Sequence, residues 1–83
     1  MYRKVTMNNG PDATILPSLI SSRMPYGKYK DRPLYQLPMA YLEWMKRTGF
    51  PKGRLGIQLE TLFEIKLNGL EYILQPLIDA AKR

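Results

Sequence analysis

Apolar residues recur at helical spacing along the last third of the chain: Leu55, Leu59, Leu62, Phe63, Leu67, Leu70, Ile73, Leu74 and Leu77. Opposite them run Glu60, Glu64, Glu71 and Gln75, so the pattern predicts an amphipathic helix over about 55–75. Pro76 should end or kink it, because its ring removes the bond to the Tyr72 carbonyl. Gly69 costs about 1 kcal/mol relative to alanine in a helix and marks a second point for a break. Upstream, Pro38 suits the first position of a helix over about 38–48, with Tyr41, Leu42, Trp44 and Met45 making a broad apolar and aromatic side. Gly49 fits a left-handed position just past its end, with Phe50 folding back onto the last turn. Pro51-Lys52-Gly53 then reads as a turn.

A different period precedes these helices. Met24, Tyr26 and Lys28 alternate with Pro25, Gly27 and Tyr29, Lys30-Asp31-Arg32-Pro33 has turn composition, and Leu34–Leu37 reads as a short partner strand. An isolated hairpin is marginal in water, so it needs a helix packed on it. The expected fold is therefore α+β: a small two-stranded β-hairpin at about 24–37 packed on two or three helices, the C-terminal one longest. Trp44, Leu42, Leu59, Leu62, Phe63 and Leu70 are the expected core. Pro17 can sit in the first turn of a short helix within 12–22 that carries Leu19 and Ile20. Residues 1–11 are polar, end in a cluster of turn residues and read as a flexible arm, leaving 12–83 as one small domain.

Composition removes whole classes of chemistry. The chain has no cysteine and no histidine, which excludes disulfides, thiol nucleophiles, zinc sites of the Cys/His type and any Ser-His or Cys-His relay. No apolar run approaches the roughly 18 residues that a membrane span requires. Met1-Tyr2-Arg3-Lys4 has the charge of a signal-peptide start, yet the polar TMNNGPD that follows is no apolar core for one, so a cytoplasmic location is expected.

The net charge of +6 becomes informative once it is located. Residues 1–22 carry two cations and one anion, net +1; residues 23–54 carry eight and two, net +6; residues 55–83 carry three and four, net −1. The whole excess lies in the middle third, a concentration that suits a polyanionic partner as well as simple solubility.

Glu60, Glu64 and Glu71 share a helix face, and paired carboxylates can hold Mg²⁺. Nothing supplies a base, an activated nucleophile or a ligand from another element, so a solvated acidic stripe is the expectation, with no metal and no cofactor. Lys52-Gly53-Arg54 precedes the long helix, where free N–H groups and flanking cations favour anions; a glycine turn between helices also arises for steric reasons alone. Lys66 falls about 20° from Leu55 in helical projection, inside the apolar stripe. Its stem should be buried, with the ammonium either paired to a carboxylate, Glu43 being one partner within reach, or opening into a groove. Trp44 with Tyr41, and Tyr26 with Tyr29, are the aromatic candidates. Trp44 is expected in the core. Tyr29, flanked by Lys28 and Lys30, is the candidate for stacking on a base or for packing across the hairpin.

The stretch MPYGKYKDRPLYQLPMAYLEWMKRTGFPKGRLG, with EIKLNGLEYILQPL further on, resembles a small bacterial and phage domain family called "Putative quorum-sensing-regulated virulence factor". Its hallmark reads Met-Pro-Phe-Gly-Lys-Tyr-Lys-Gly, then Leu-Pro, Tyr-Leu-x-Trp, Gly-Phe-Pro and Glu-Ile-Lys-Leu-Asn-Gly-Leu, and the resemblance covers residues 23–77. A shorter version of the same unit looks like the C-terminal module of exodeoxyribonuclease X-type exonucleases, which implies an accessory that handles nucleic acid and is not itself an enzyme. Two positions depart from the hallmark: Tyr26 replaces Phe, and Asp31 replaces the last Gly. Asp31 tolerates positive φ better than most residues, but puts a negative charge into a basic surface.

Two readings follow. One is a non-catalytic module binding DNA or RNA through Lys28, Lys30, Arg32, Lys52 and Arg54, with Tyr29 as stacker. The other is a protein-interaction module, docking through the hairpin or through the helix face marked by Lys66.

Overall fold

The computed structural model describes residues 13–82, so the arm expected at 1–11 lies outside the described residues. Among the described residues the fold is all-helical, with four α-helices, α1 (Ile15–Ser21), α2 (Met39–Thr48), α3 (Gly53–Leu67) and α4 (Gln75–Ala81), joined by a long loop and two 3-10 turns, Leu34–Gln36 and Glu71–Leu74. No strand occurs among the described residues, which overturns the expected α+β class and its hairpin.

The segment expected to form the hairpin instead makes a closed loop. Its ends meet in one isolated antiparallel bridge, Arg23 with Pro33. Inside it, the Met24 N–H donates to the Arg32 carbonyl at 2.8 Å and the Asp31 N–H to the Met24 carbonyl at 2.7 Å. Pro25 and Pro33 have no N–H to offer a ladder. Gly27 (φ 83°) and Asp31 (φ 70°) both take left-handed backbone, which curls the chain through consecutive turns. Past the bridge, Leu34 and Leu37 are both fully buried. A strand would send residues three apart to opposite faces, whereas a 3-10 turn places them on one side, and the burial of both leucines selects the turn.

α2 lies where the sequence puts it, and α3 covers the first part of the helix expected over about 55–75. Pro38 precedes the first residue of α2, and Gly49 ends it with φ 106°, its N–H donating to the Met45 carbonyl. Phe50 folds back, its ring centroid 6.2 Å from that of Phe63, while the Lys46 ammonium lies 5.9 Å from the Phe63 ring centroid on the same seam. α3 is the longest helix, with 15 residues, but it stops at Leu67 instead of continuing to 75. Gly69 (φ 69°) breaks it, and the Leu70 N–H returns to the Ile65 carbonyl. Pro76 does not end that helix; it sits in the first turn of α4, where no intrahelical donor is lost.

The core is built from Leu19, Met24, Leu34, Leu37, Leu42, Met45, Leu59, Leu62, Phe63, Ile65 and Leu74. Leu42, Leu59, Leu62 and Phe63 were expected there. Trp44 and Leu70 were too, and both are exposed, Trp44 by 50%. Leu42 and Met45 define the inward face of α2, and Trp44 projects about 130° from the middle of that face. Among the described residues no helix is long and apolar enough to cross a membrane.

Candidate functional site

One open groove, about 450 Å³ in volume, is formed where the 24–33 loop passes over α2. The loop contributes Tyr26, Gly27 and Lys28; α2 contributes Tyr41, Trp44, Met45 and Thr48; the α2–α3 turn closes the end with Gly49 and Pro51. Its floor is a run of rings. The Tyr29 and Tyr41 rings meet edge to face, centroids 4.8 Å apart at 62°, and Tyr41 and Trp44 lie nearly parallel, 5.9 Å apart at 17°. Trp44 and Tyr26 keep about half of their surface in solvent, 50% and 49%.

Local sequence explains this arrangement. Tyr41 and Trp44 are three apart on α2 and therefore neighbours on one flank of the helix. Gly27, with its left-handed backbone, lets the loop come down on Tyr41: a Cβ there would stand 3.5 Å from the Tyr41 hydroxyl oxygen. Burial, then the neighbouring Tyr26 and Tyr29 phenols, raise the pKa of Tyr41 above the ordinary phenol value. A phenol held neutral by the fold contributes stability that is complete below that ordinary value and is lost as pH rises through the raised one.

The expected site residues take four different places relative to the groove. Lys28 lines the groove, its ammonium 5.6 Å from the Tyr29 ring centroid. Tyr29 is half-buried and packed against the core, so its ring is part of the floor's support. Lys30 and Arg32 are exposed on the same loop, and Lys52 is exposed beside Pro51 at the groove's closed end. Tyr29, Lys30, Arg32, Lys52, Arg54 and Lys66 are not among the residues that line the groove. The Arg54 guanidinium donates to the Thr14 hydroxyl at 3.0 Å, tying the start of α3 to the start of α1. The Lys66 ammonium donates to Glu71 at 3.0 Å, across the break that ends α3, so its partner is Glu71 and not Glu43. Lys66 is 14% exposed and Glu71 58%.

Because Glu71 keeps much of its water, the pair is a weak contributor. Lys66→Met is expected to leave stability to urea within about 1 kcal/mol of the parent, the buried stem being replaced by a thioether of similar bulk. A loss above about 3 kcal/mol would show that the ion pair holds the break together.

Sequence reasoning missed Trp44 as an exposed ring by treating a large aromatic in a small domain as core. The projection of α2 from Leu42 and Met45 carried the correct signal.

Residues 12–77 match the family described as "Putative quorum-sensing-regulated virulence factor". The chain is similar to the "Uncharacterized protein YpeB" of Escherichia coli strain K12, 43% identical over 63 residues, which span 75% of this chain and 88% of that protein. It matches the protein of the same name from Escherichia coli O157:H7 to the same extent. No solved structure matches it.

Proposed function

We propose a function for this chain, which belongs to the family described as "Putative quorum-sensing-regulated virulence factor": it is a non-catalytic accessory module that binds nucleic acid. One observation carries the reading. A groove floored by exposed aromatic rings opens in the segment that holds the entire positive excess of the chain, with Lys28 in its wall and Lys30, Arg32 and Lys52 on the segments that frame it. Cations along a backbone track and rings for bases are the two components of a nucleic-acid groove. Read from the sequence alone, the Tyr26–Lys30 and Tyr41–Trp44 motifs resemble the module of exodeoxyribonuclease X-type exonucleases, and both motifs contribute residues to this groove. Arg54, turned to Thr14, is left out of the contact set.

A second reading rests on a separate surface. Leu67, Leu70 and Tyr72 are exposed around the end of α3, and exposed apolar side chains in that number suit a protein partner.

The test is a titration against DNA and RNA at two or more salt concentrations. Log affinity is expected to fall with log salt at about −0.7 to −0.9 per phosphate contact. Lys28→Ala and Lys30→Ala should each weaken binding to every sequence and flatten the slope by about one. Absence of any complex below roughly 100 μM at low salt, weaker than most non-specific DNA binding, rejects the reading in favour of the protein surface.

A further inference from the structure

We infer that the groove takes unpaired nucleotides, with a base stacked on Trp44; this rests on the nucleic-acid reading and specifies its substrate as single-stranded. The argument begins with what the groove offers. Tyr41 lies beside the Trp44 indole in a nearly parallel, offset arrangement, centroids 5.9 Å apart, and half of the Trp44 surface stays in solvent. A flat ring laid on the open side extends that arrangement by one member. Bases in a duplex already have both faces covered by their neighbours and present only edges and phosphates, so an exposed indole gains little from them. Unpaired bases have free faces, and stacking on an aromatic side chain is the main base contact that sequence-tolerant single-strand binders make.

The rest of the lining fits a base with its backbone better than it fits an apolar peptide. Lys28 is in the wall, and Lys52, next in sequence to the lining residue Pro51, is exposed, so a strand crossing the rings meets one cation in the groove and has a second on the adjoining turn for its phosphates. Among the described residues no carboxylate lines the groove to oppose them. Polar readers of base edges are few: the Tyr26 and Tyr41 hydroxyls, and Thr48, whose hydroxyl donates to the Trp44 carbonyl at 3.0 Å. Recognition is therefore by ring face and phosphate.

Trp44 is the sole tryptophan of the chain, so its emission reports on the groove directly. The experiment titrates the full chain with an oligo(dT) of about 12 nucleotides, within the range of small single-strand binding sites, and with a blunt duplex of equal length, both at low salt. Emission should be quenched by the single strand and nearly unchanged by the duplex. Trp44→Leu should weaken single-strand binding roughly 10-fold to 100-fold, the equivalent of one lost stack, and Trp44→Phe should recover most of it. Duplex affinity should be the same in all three proteins. Equal affinity for both nucleic acids, with neither changed by Trp44→Leu, would overturn the single-strand assignment while leaving a charge-based nucleic-acid module standing. Failure of both nucleic acids to bind the parent protein would overturn the nucleic-acid reading itself. Circular dichroism of each variant checks that the helices are retained, which the exposure of residue 44 leads us to expect.

Discussion

Gly56→Ala is expected to lose about 3 kcal/mol or more, although alanine is the better helix former by about 1 kcal/mol. Gly56 is buried in the first turns of α3, and the Pro51 carbonyl occupies the space that a side chain there would take. A Cβ at this position would overlap the Pro51 oxygen and stand 2.9 Å from the Pro51 carbonyl carbon. Those are backbone atoms, so no rotamer change relieves the overlap. Either the α2–α3 turn moves or the start of α3 does. Both carry packed side chains, Phe50 on one side and Leu59 on the other. A domain of this length has a total stability of roughly 4–12 kcal/mol, so the loss is a large fraction of it.

The sign is the useful part of this expectation, because helix propensity and packing predict opposite outcomes. Urea unfolding followed by circular dichroism decides between them. Gly69→Ala is the comparison: nothing stands within 4 Å of a Cβ there, and only the left-handed backbone resists the side chain, at about 1–2 kcal/mol. If the Gly56 variant proves as stable as the parent, the close approach of Pro51 to α3 is not a feature of the folded chain. Because Gly49 and Pro51 form the end of the groove, the same substitution should also disturb the surroundings of Trp44.

What the sequence made legible follows from which signals are local. Pro38 and Gly49 punctuate α2 with backbone chemistry that acts at one residue, and the structure starts and ends the helix beside them. The end of α3 was harder. Apolar spacing continues from Leu67 through Leu77, where the 3-10 turn buries Leu74 and α4 half-buries Leu77 while Leu67 and Leu70 stay exposed, and periodicity carries no information about a change of direction. Gly69 did carry it. In the 24–37 segment a short alternation of tyrosine, lysine and glycine imitated a strand, while the decisive fact was tertiary: Leu34 and Leu37 are buried together, which only a tight turn allows. Met24 gave no local sign that the core would enclose it completely. For the groove, the cations and the rings were each visible in the sequence, but the choice between Tyr29 and Trp44 as the free ring was not made by composition. The loop folds onto α2, and in doing so it covers Tyr29 and leaves Trp44 open.

The second large effect is expected at Gln58, the one buried side chain of α3 that carries an amide. Its Nε2 donates to the Ser18 hydroxyl at 2.9 Å and lies 3.3 Å from the Ser22 hydroxyl, joining α3 to the middle of α1 and to its C-terminal cap. The Ser18 hydroxyl donates to the Ile15 carbonyl at 2.6 Å, so the amide donates into a hydroxyl whose donor role is already filled. Gln58→Ala removes both donors and leaves a void between two helices, a combination expected to cost about 2–4 kcal/mol. Gln58→Leu fills the space but still strands the Ser18 lone pairs, and should cost less. Adding Ser18→Ala to Gln58→Leu removes the stranded acceptor too, and the double variant should recover to within about 1 kcal/mol of the parent, since replacing both partners by apolar groups of matching shape can be nearly neutral. Measured as a cycle by urea unfolding, the two substitutions should therefore be non-additive, with the Ser18→Ala step stabilising in the leucine background and destabilising in the parent. Additive costs would mean that α1 is held to α3 by its apolar contacts alone, with Leu19 against the core and the amide contributing nothing.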